Sequence, residues 1–420
     1  MISGPIHVPT AEETAADREF VMSKKHELPE SPENNPPRSV EETLEDYNFQ
    51  LSPFEKTEIE SFKSIYYIGC TAKIMASENA LDTSEYTMNR KYIFVPKDHI
   101  SYRYKALGVA GEGQYAEVIR CTDMKAKNRV VVKMLKKNNP FLFHETKMLL
   151  HIQDNDLEGK SKCINLLDYD CFRGHHYLVF PEFDTDLGTF LRFGYFDIRV
   201  DYNFQKMMVV AKCVAKALVF LKQQNIIHGD LKTDNILINV NRWNETKLGD
   251  FGLAMFTDDV VYCREYQTLA YRAPEIFCLG LATTAADMWS FGCVLAEIVI
   301  GRKFLMARNV HNQFFLIQQV LGSPPASFFE YCKDTSPYFD GLRYPKHCRL
   351  VVNMDGDYLV VKEHPNISPR TLPPGATPIE SLFNKTVFRD FLERCFLWHP
   401  FERIQPEEVL THALFNDVKS

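Results

Sequence analysis

The pattern of apolar and polar positions changes character along this 420-residue chain. Residues 1–47 carry few apolar side chains and many Glu, Pro, Asn and Ser, as in the run from Ser31 to Pro37. Such a stretch buries too little surface to offset its ordering entropy, and a disordered tail is expected. Order is expected to begin near Leu51, where Ser52, Pro53 and Glu55 follow one another as at a helix start. Over residues 92–183 the apolar positions gather into β-branched or aromatic runs of strand length, at Tyr92–Val95, Val130–Leu135 and Tyr177–Phe180. One helix is predicted among them at Phe143–Ile152, with Met148, Leu149 and Ile152 on one face.

From about residue 184 the period becomes helical. Phe204–Gln223 places Met207, Val210, Ala211, Val214 and Leu218 on one stripe, and Ala285–Val299 is apolar all round, as in a buried helix. Residues 322–385 are richer in Pro, Gly and Asp and read as an insertion of loops and short elements. A last helix pair is predicted at Thr386–Leu397 and Pro406–Leu414. The expected class is α+β and bilobal, with a small β-rich N-lobe to about residue 183 and a larger helical C-lobe over 184–415.

Composition narrows the function classes. A net charge of −7 argues against nucleic acid or an anionic membrane as the main partner. Eleven cysteines, with no CxxC pair and no His/Cys cluster, argue against a disulfide scaffold or a zinc site and for a reducing compartment. No apolar run of about 18 residues occurs, and no signal-peptide pattern follows Met1. The expectation is a soluble monomer of the cytoplasm, with the nucleus left open.

The candidate chemistry begins at Ala110, Gly111, Glu112, Gly113, Gln114, Tyr115, Ala116, Glu117 and Val118. Glycines here let the backbone approach phosphate oxygens and donate amide N–H groups to them, although Gly-x-Gly alone is equally an ordinary hairpin. Lys133, set between Val132 and Met134, is a charge inside a strand and needs an anion there. Glu145, twelve residues on, is its candidate partner in the predicted helix. The decisive segment is Ile226–Leu237, which reads Ile-Ile-His-Gly-Asp-Leu-Lys-Thr-Asp-Asn-Ile-Leu. Asp230 suits a proton acceptor for a substrate hydroxyl, Lys232 suits the charge on a transferring phosphoryl group, and Asn235 suits a magnesium ion. Asp250, in Gly249-Asp-Phe-Gly252, is the second magnesium candidate. His228 reads as a packing residue. Glu275 needs a buried cation, for which Arg403 is the candidate, and Asp287 is placed to receive backbone N–H groups of the Asp230 loop.

These motifs resemble the eukaryotic protein kinases over roughly residues 100–415. The chain is further similar to the CMGC group, and within it to class II of the dual-specificity tyrosine-phosphorylation-regulated (DYRK) kinases. That finer similarity lies in Tyr92–Tyr104, in Leu51–Ile59 with Ile65–Gly69, and in Tyr344–Cys348. The resemblance implies ATP and Mg²⁺, protein substrates phosphorylated on Ser or Thr, and tyrosine autophosphorylation. It also implies an accessory region at 48–100 packed on the N-lobe, ahead of a kinase domain at 101–415.

Departures from the family pattern cluster at regulation. Gly229 stands where most kinases have Arg and this family has Cys, Ala116 replaces a loop glycine, Val131 replaces an Ala, and Thr233 replaces a Pro. In the activation segment, Glu265 falls on the autophosphorylated tyrosine and Leu269 on its Arg partner, while a one-residue shift puts Tyr266 there instead. Glu265 could pair with Arg264 or Arg272, and Tyr262 and Tyr266 could equally be exposed loop tyrosines. A binding scaffold without catalysis is the rival to an active kinase, and the full set Lys133, Glu145, Asp230, Lys232, Asn235 and Asp250 argues against it.

Overall fold

The computed structural model describes residues 11–25, 36–69, 86–137, 139, 143–193, 201–259, 262–339, 349–352, 358–361, 375, 377–383, 386–416 and 418. The described residues form two compact units, one running to Asp154 and taking in Ile164–Glu182, the other made of Asn155–Cys163 and the residues from Phe183 onward.

The first unit opens with helices α1 (Ala11–Lys24), α2 (Val40–Tyr47) and α3 (Pro53–Glu58) and a two-stranded ladder, β1 (Thr87–Met88) with β2 (Lys91–Tyr92). An antiparallel six-stranded sheet follows. Its strands are β3 (His99–Ile100), β4 (Tyr104–Glu112), β5 (Ala116–Asp123), β6 (Asn128–Leu135), β7 (Asp168–Phe172) and β8 (His175–Pro181), in the order β3-β4-β5-β6-β8-β7. Helix α4 (His144–Asn155) interrupts them. The period of two in β6 buries Val130, Val132 and Met134 and turns Val131 and Lys133 to the other face. The buried face packs with Ile119, Cys121 and Val179 against Phe54, Ile59, Ile65, Tyr86, Tyr102 and Phe172, so segment 51–69 roofs the sheet.

Inside that roof lies a group of charges. Arg173 is only 5% exposed. Its guanidinium donates to Glu58 at 2.9 Å and Glu55 at 3.3 Å, and it lies 4.0 Å from the centre of the Tyr86 ring. Glu55, Asp98 and His99 stand close enough together to hold a metal ion, but the guanidinium already supplies the cation.

Two expectations are corrected in this unit. The first 47 residues contain helices α1 and α2. Helix α2 is stabilised locally by a capping box between Ser39 and Glu42, and α1 by contacts with distant residues that composition does not reveal. The strand expected at Tyr92–Val95 ends at Tyr92, because Pro96 has no N–H and Lys97 takes φ +66°, turning the chain out of any ladder. The Tyr344–Cys348 segment falls outside the described residues.

The second unit is mainly helical. Short strands β9 (Thr185–Asp186), β10 (Ile226–Ile227), β11 (Ile236–Ile238), β12 (Lys247–Leu248) and β13 (Met255–Phe256) accompany α5 (Leu187–Arg192) and the long α6 (Asp201–Gln223). Next come α7 (Pro274–Phe277), α8 (Thr284–Ile300), α9 (Val310–Leu321) and α10 (Ala326–Tyr331). The insertion contributes a hairpin of β14 (Arg349–Val352) with β15 (Tyr358–Val361), and then α11 (Ile379–Leu382). The chain closes with α12 (Thr386–Cys395) and α13 (Pro406–Val409). Residues 285–298 of α8 are all buried, as an all-round apolar helix requires. Gly292 permits this: a Cβ there would lie 2.8 Å from Cβ of Cys395, so α12 crosses at backbone contact. The helix predicted over Pro406–Leu414 is shorter, ending at Val409 and resuming as a 3₁₀ turn at Ala413–Phe415 capped by the His412 side chain.

Candidate active site

In the β-rich unit, β4 and β5 are joined by the glycine-rich turn, where the Gly113 N–H donates to the Ala116 carbonyl at 2.8 Å. Neither Gly111 nor Gly113 has a positive φ. A Cβ on Gly111 would meet nothing within 4 Å, and one on Gly113 only the Ala116 carbonyl at 3.7 Å. Nothing inside the described chain therefore requires these glycines, which leaves open space beside bare backbone. Lys136 steadies the turn by donating to the Gly113 carbonyl at 2.7 Å.

Lys133 projects from β6, and its ammonium donates to both carboxylate oxygens of Glu145 at 2.7 Å. Glu145 sits in the first turn of α4, where the helix dipole favours a negative charge, and is buried. The position of α4 is thereby coupled to the position of the ammonium.

In the helical unit, the Asp230 loop is clamped by two ladders. Ile226 and Ile227 pair with Phe256 and Met255, and Ile236 and Leu237 with Leu248 and Lys247. The loop backbone is set by Asp287, whose carboxylate accepts the His228 N–H at 2.7 Å and the Gly229 N–H at 3.0 Å. Burial pushes the Asp287 pKa up despite these bonds. His228 has no exposed surface. Its Nδ1 accepts from the Asp230 N–H at 3.2 Å, so Nε2 carries the proton toward the Gly249 carbonyl at 3.1 Å.

Three side chains converge on the Asp230 carboxylate. Lys232 Nζ lies at 2.5 Å, the Thr268 hydroxyl donates at 2.5 Å, and the Asn235 amide donates at 3.2 Å. The Asn235 nitrogen also reaches the Asp230 carbonyl at 2.8 Å, so a cation here would be met by its oxygen. Asp250 is exposed at φ +60°, one residue beyond Gly249, whose N–H donates to the Asn235 carbonyl at 2.9 Å. Asn235 and Asp250 thus offer hard oxygen donors from adjoining backbone, a set that suits Mg²⁺.

The activation segment departs most from expectation. Tyr266 is 3% exposed, and its hydroxyl donates to the Leu253 carbonyl at 3.2 Å, which corrects the reading of it as an exposed loop tyrosine. It fills the space above Gly229, where a Cβ would lie 2.0 Å from its hydroxyl oxygen. Gly229 also has φ +74°, so the side chain missing from the Asp230 loop is replaced by one from the segment. Burial, with Asp287 and Asp230 adding to it, raises the Tyr266 pKa well above the phenol range.

Arg264 and Arg272 do not pair with the Glu265 carboxylate. Arg264 meets Asp334, and Arg272 donates to the carbonyls of Arg264 at 2.6 Å, Glu265 at 3.1 Å and Gln267 at 2.8 Å. Tyr262 is partly exposed, with the Lys333 ammonium 3.1 Å from its ring centre. Glu275 and Arg403 form a doubly bonded pair at 2.7 and 2.6 Å, both without exposed side chain.

Sequence reasoning missed three residues here. Thr268 lies in the activation segment, and nothing in the sequence connected it with Asp230, thirty-eight positions earlier. Gln267, at φ +67°, bonds Ala286, Ser290 and the Ala273 N–H. Glu297 accepts from Tyr271 at 2.5 Å and from Thr233 at 3.2 Å. A hydroxyl at the position usually taken by proline was the one available signal, since it needs a partner.

A model of the protein kinase domain matches residues 104–415. The chain belongs to the protein kinase family. Among curated proteins, dual specificity tyrosine-phosphorylation-regulated kinase 3 of Macaca fascicularis is 30% identical over 387 residues, covering 90% of this chain and 67% of that protein. The human kinase 4 of that name is 29% identical, covering 97% and 76%. The mbk-2 kinase of Caenorhabditis elegans is 30% identical, covering 89% and 46%. The chain is therefore a DYRK-like kinase of the CMGC group, and it spans about two thirds of the length of the mammalian kinase 3 relatives and about half of the nematode one.

Proposed function

We propose that this chain is an active protein serine/threonine kinase that transfers the γ-phosphate of ATP to protein hydroxyl groups without needing phosphotyrosine in its activation segment. The observation that carries this reading is the Asp230 carboxylate, held at once by Lys232, Thr268 and Asn235. A scaffold has no chemical use for a carboxylate presented in this way. In this mechanism Asp230 accepts the proton of the acceptor hydroxyl, and Lys232 offsets charge as the phosphoryl group leaves ATP. The glycine-rich turn donates N–H groups to the phosphates, and Lys133, aimed by Glu145, pairs with them. Asn235 and Asp250 would hold Mg²⁺, which supplies charge neutralisation between the phosphates.

The buried contacts of Tyr266 support the part of the reading that concerns regulation. A phosphate on its hydroxyl would need the space above Gly229 to open, and Arg272 is already bonded to three carbonyls. Asp230→Asn tests the activity. It should lower turnover by about 10²-fold or more while ATP affinity is retained. Near-normal turnover in that variant would remove Asp230 from the role of base.

A further inference from the structure

Helix α1 and helix α4 carry matched charges at the same spacing. Asp17 and Lys24 are seven residues apart on α1, and Lys147 and Asp154 are seven apart on α4. Seven residues are about two helical turns, so each pair shares one face, about 10 Å apart. The structure joins them crosswise in charge: Asp17 meets Lys147 at 2.6 Å, and Lys24 meets Asp154 at 3.0 Å. The two helices therefore run in the same direction in a single register, because a slip of one turn would break both pairs.

Three more contacts hold α1. Val21 is 1% exposed, its carbonyl accepts from the Tyr169 hydroxyl at 2.5 Å, and Lys25 just beyond the helix meets Asp170. The seat is incompletely packed. A cavity of about 230 Å³ remains between Arg18, Val21 and Met22 of α1 and Phe143, Thr146 and Leu178 beneath it, and Met22 is 54% exposed. Polar contacts thus outnumber buried apolar side chains, the composition of a contact that can open.

The opposite side of α4 matters for chemistry. Glu145 precedes Lys147 by two residues, and residues two apart on a helix face away from one another. Glu145 engages Lys133 of the sheet while Lys147 engages α1.

We propose that α1 is a strap that holds α4 in the position where Glu145 reaches Lys133, making Asp17 and Lys147 positioning residues for phosphate transfer. This rests on the kinase activity proposed above, and the test separates the two. The full chain is prepared as wild type, Asp17→Lys, Lys147→Asp and the double exchange. Hydrogen exchange of the α4 amides and the kinetic constants with ATP and a protein substrate are then measured. Each single variant should exchange faster in α4 and lose about fivefold in kcat/KM for ATP, and the double should recover both. Unchanged α4 exchange in the single variants, or no recovery in the double, would overturn the strap. Faster exchange with unchanged kinetics would overturn its positioning role. An inactive wild type would strike the proposed activity instead, and the exchange data would still decide whether α1 restrains α4.

Discussion

Arg173 and Arg272 are almost equally buried, at 5% and 7% exposure, yet their surroundings are opposite. Arg173 lies between two glutamates and the Tyr86 ring. Burial opposes its charge, but the Glu58 hydrogen bond and the acidic groups around it outweigh burial, and its pKa rises. Arg272 is bonded to main-chain carbonyls, with no carboxylate paired to it among the described residues, and burial lowers its pKa. The first arginine closes an ionic lock between segment 51–69 and the turn that joins β7 to β8. The second ties Arg264, Glu265 and Gln267 of one loop together by their backbone carbonyls. An arginine that is already a loop tie need not wait for a phosphate to order that loop.

The largest expected effect breaks the first side of the comparison. Arg173→Met strands Glu55 and Glu58 without their cation, and removing one partner of a buried ion pair costs about 3–5 kcal/mol. Chemical denaturation of the full chain should show that loss. Arg272→Met leaves carbonyls rather than charges behind, so the stability loss should be nearer about 1–2 kcal/mol. Its activity should nonetheless fall more than about tenfold, because the segment loses its tie. Equal stability losses in the two variants would erase the distinction.

An effect smaller than that of Arg173→Met is expected at Gly229. Gly229→Ala combines a positive φ with a Cβ driven into Tyr266, and overpacking of this kind costs about 1–3 kcal/mol. Tyr266→Ala added to it should relieve the collision but not the backbone strain, so stability should recover only in part. The smallest effect belongs to Tyr266→Phe, which removes one hydrogen bond to Leu253 and should cost about 0.5–1.5 kcal/mol of stability. It should retain at least about a tenth of the activity, a barrier change below roughly 1.4 kcal/mol.

Much of the candidate site's geometry was legible because the chemistry proposed for it needs particular residue types close together in sequence. Asp230, Lys232 and Asn235 lie within six positions, and β6 declared itself by its valines. The Glu275–Arg403 pair was legible too, since a buried carboxylate needs a cation and the candidates were few. What stayed hidden depends on contacts between distant positions. Helix α1 has its large apolar residues in one run, Phe20 to Met22, rather than along a face, and its partners lie more than a hundred positions away. Gly229 read as a missing arginine, whereas its meaning comes from Tyr266, thirty-seven residues on, in the same small volume. The Arg272 bonds go to carbonyls, which every residue carries, so no side-chain pattern could announce them.

The claim that the activation segment is held without phosphotyrosine is tested most directly by assaying one preparation before and after tyrosine phosphatase. Mass spectrometry must establish that Tyr262 and Tyr266 are unmodified in the treated sample. The account predicts that the treated protein keeps its phosphotransfer rate to within about tenfold, a barrier change under roughly 1.4 kcal/mol. A larger fall that reverses when phosphate returns to Tyr266 would contradict it.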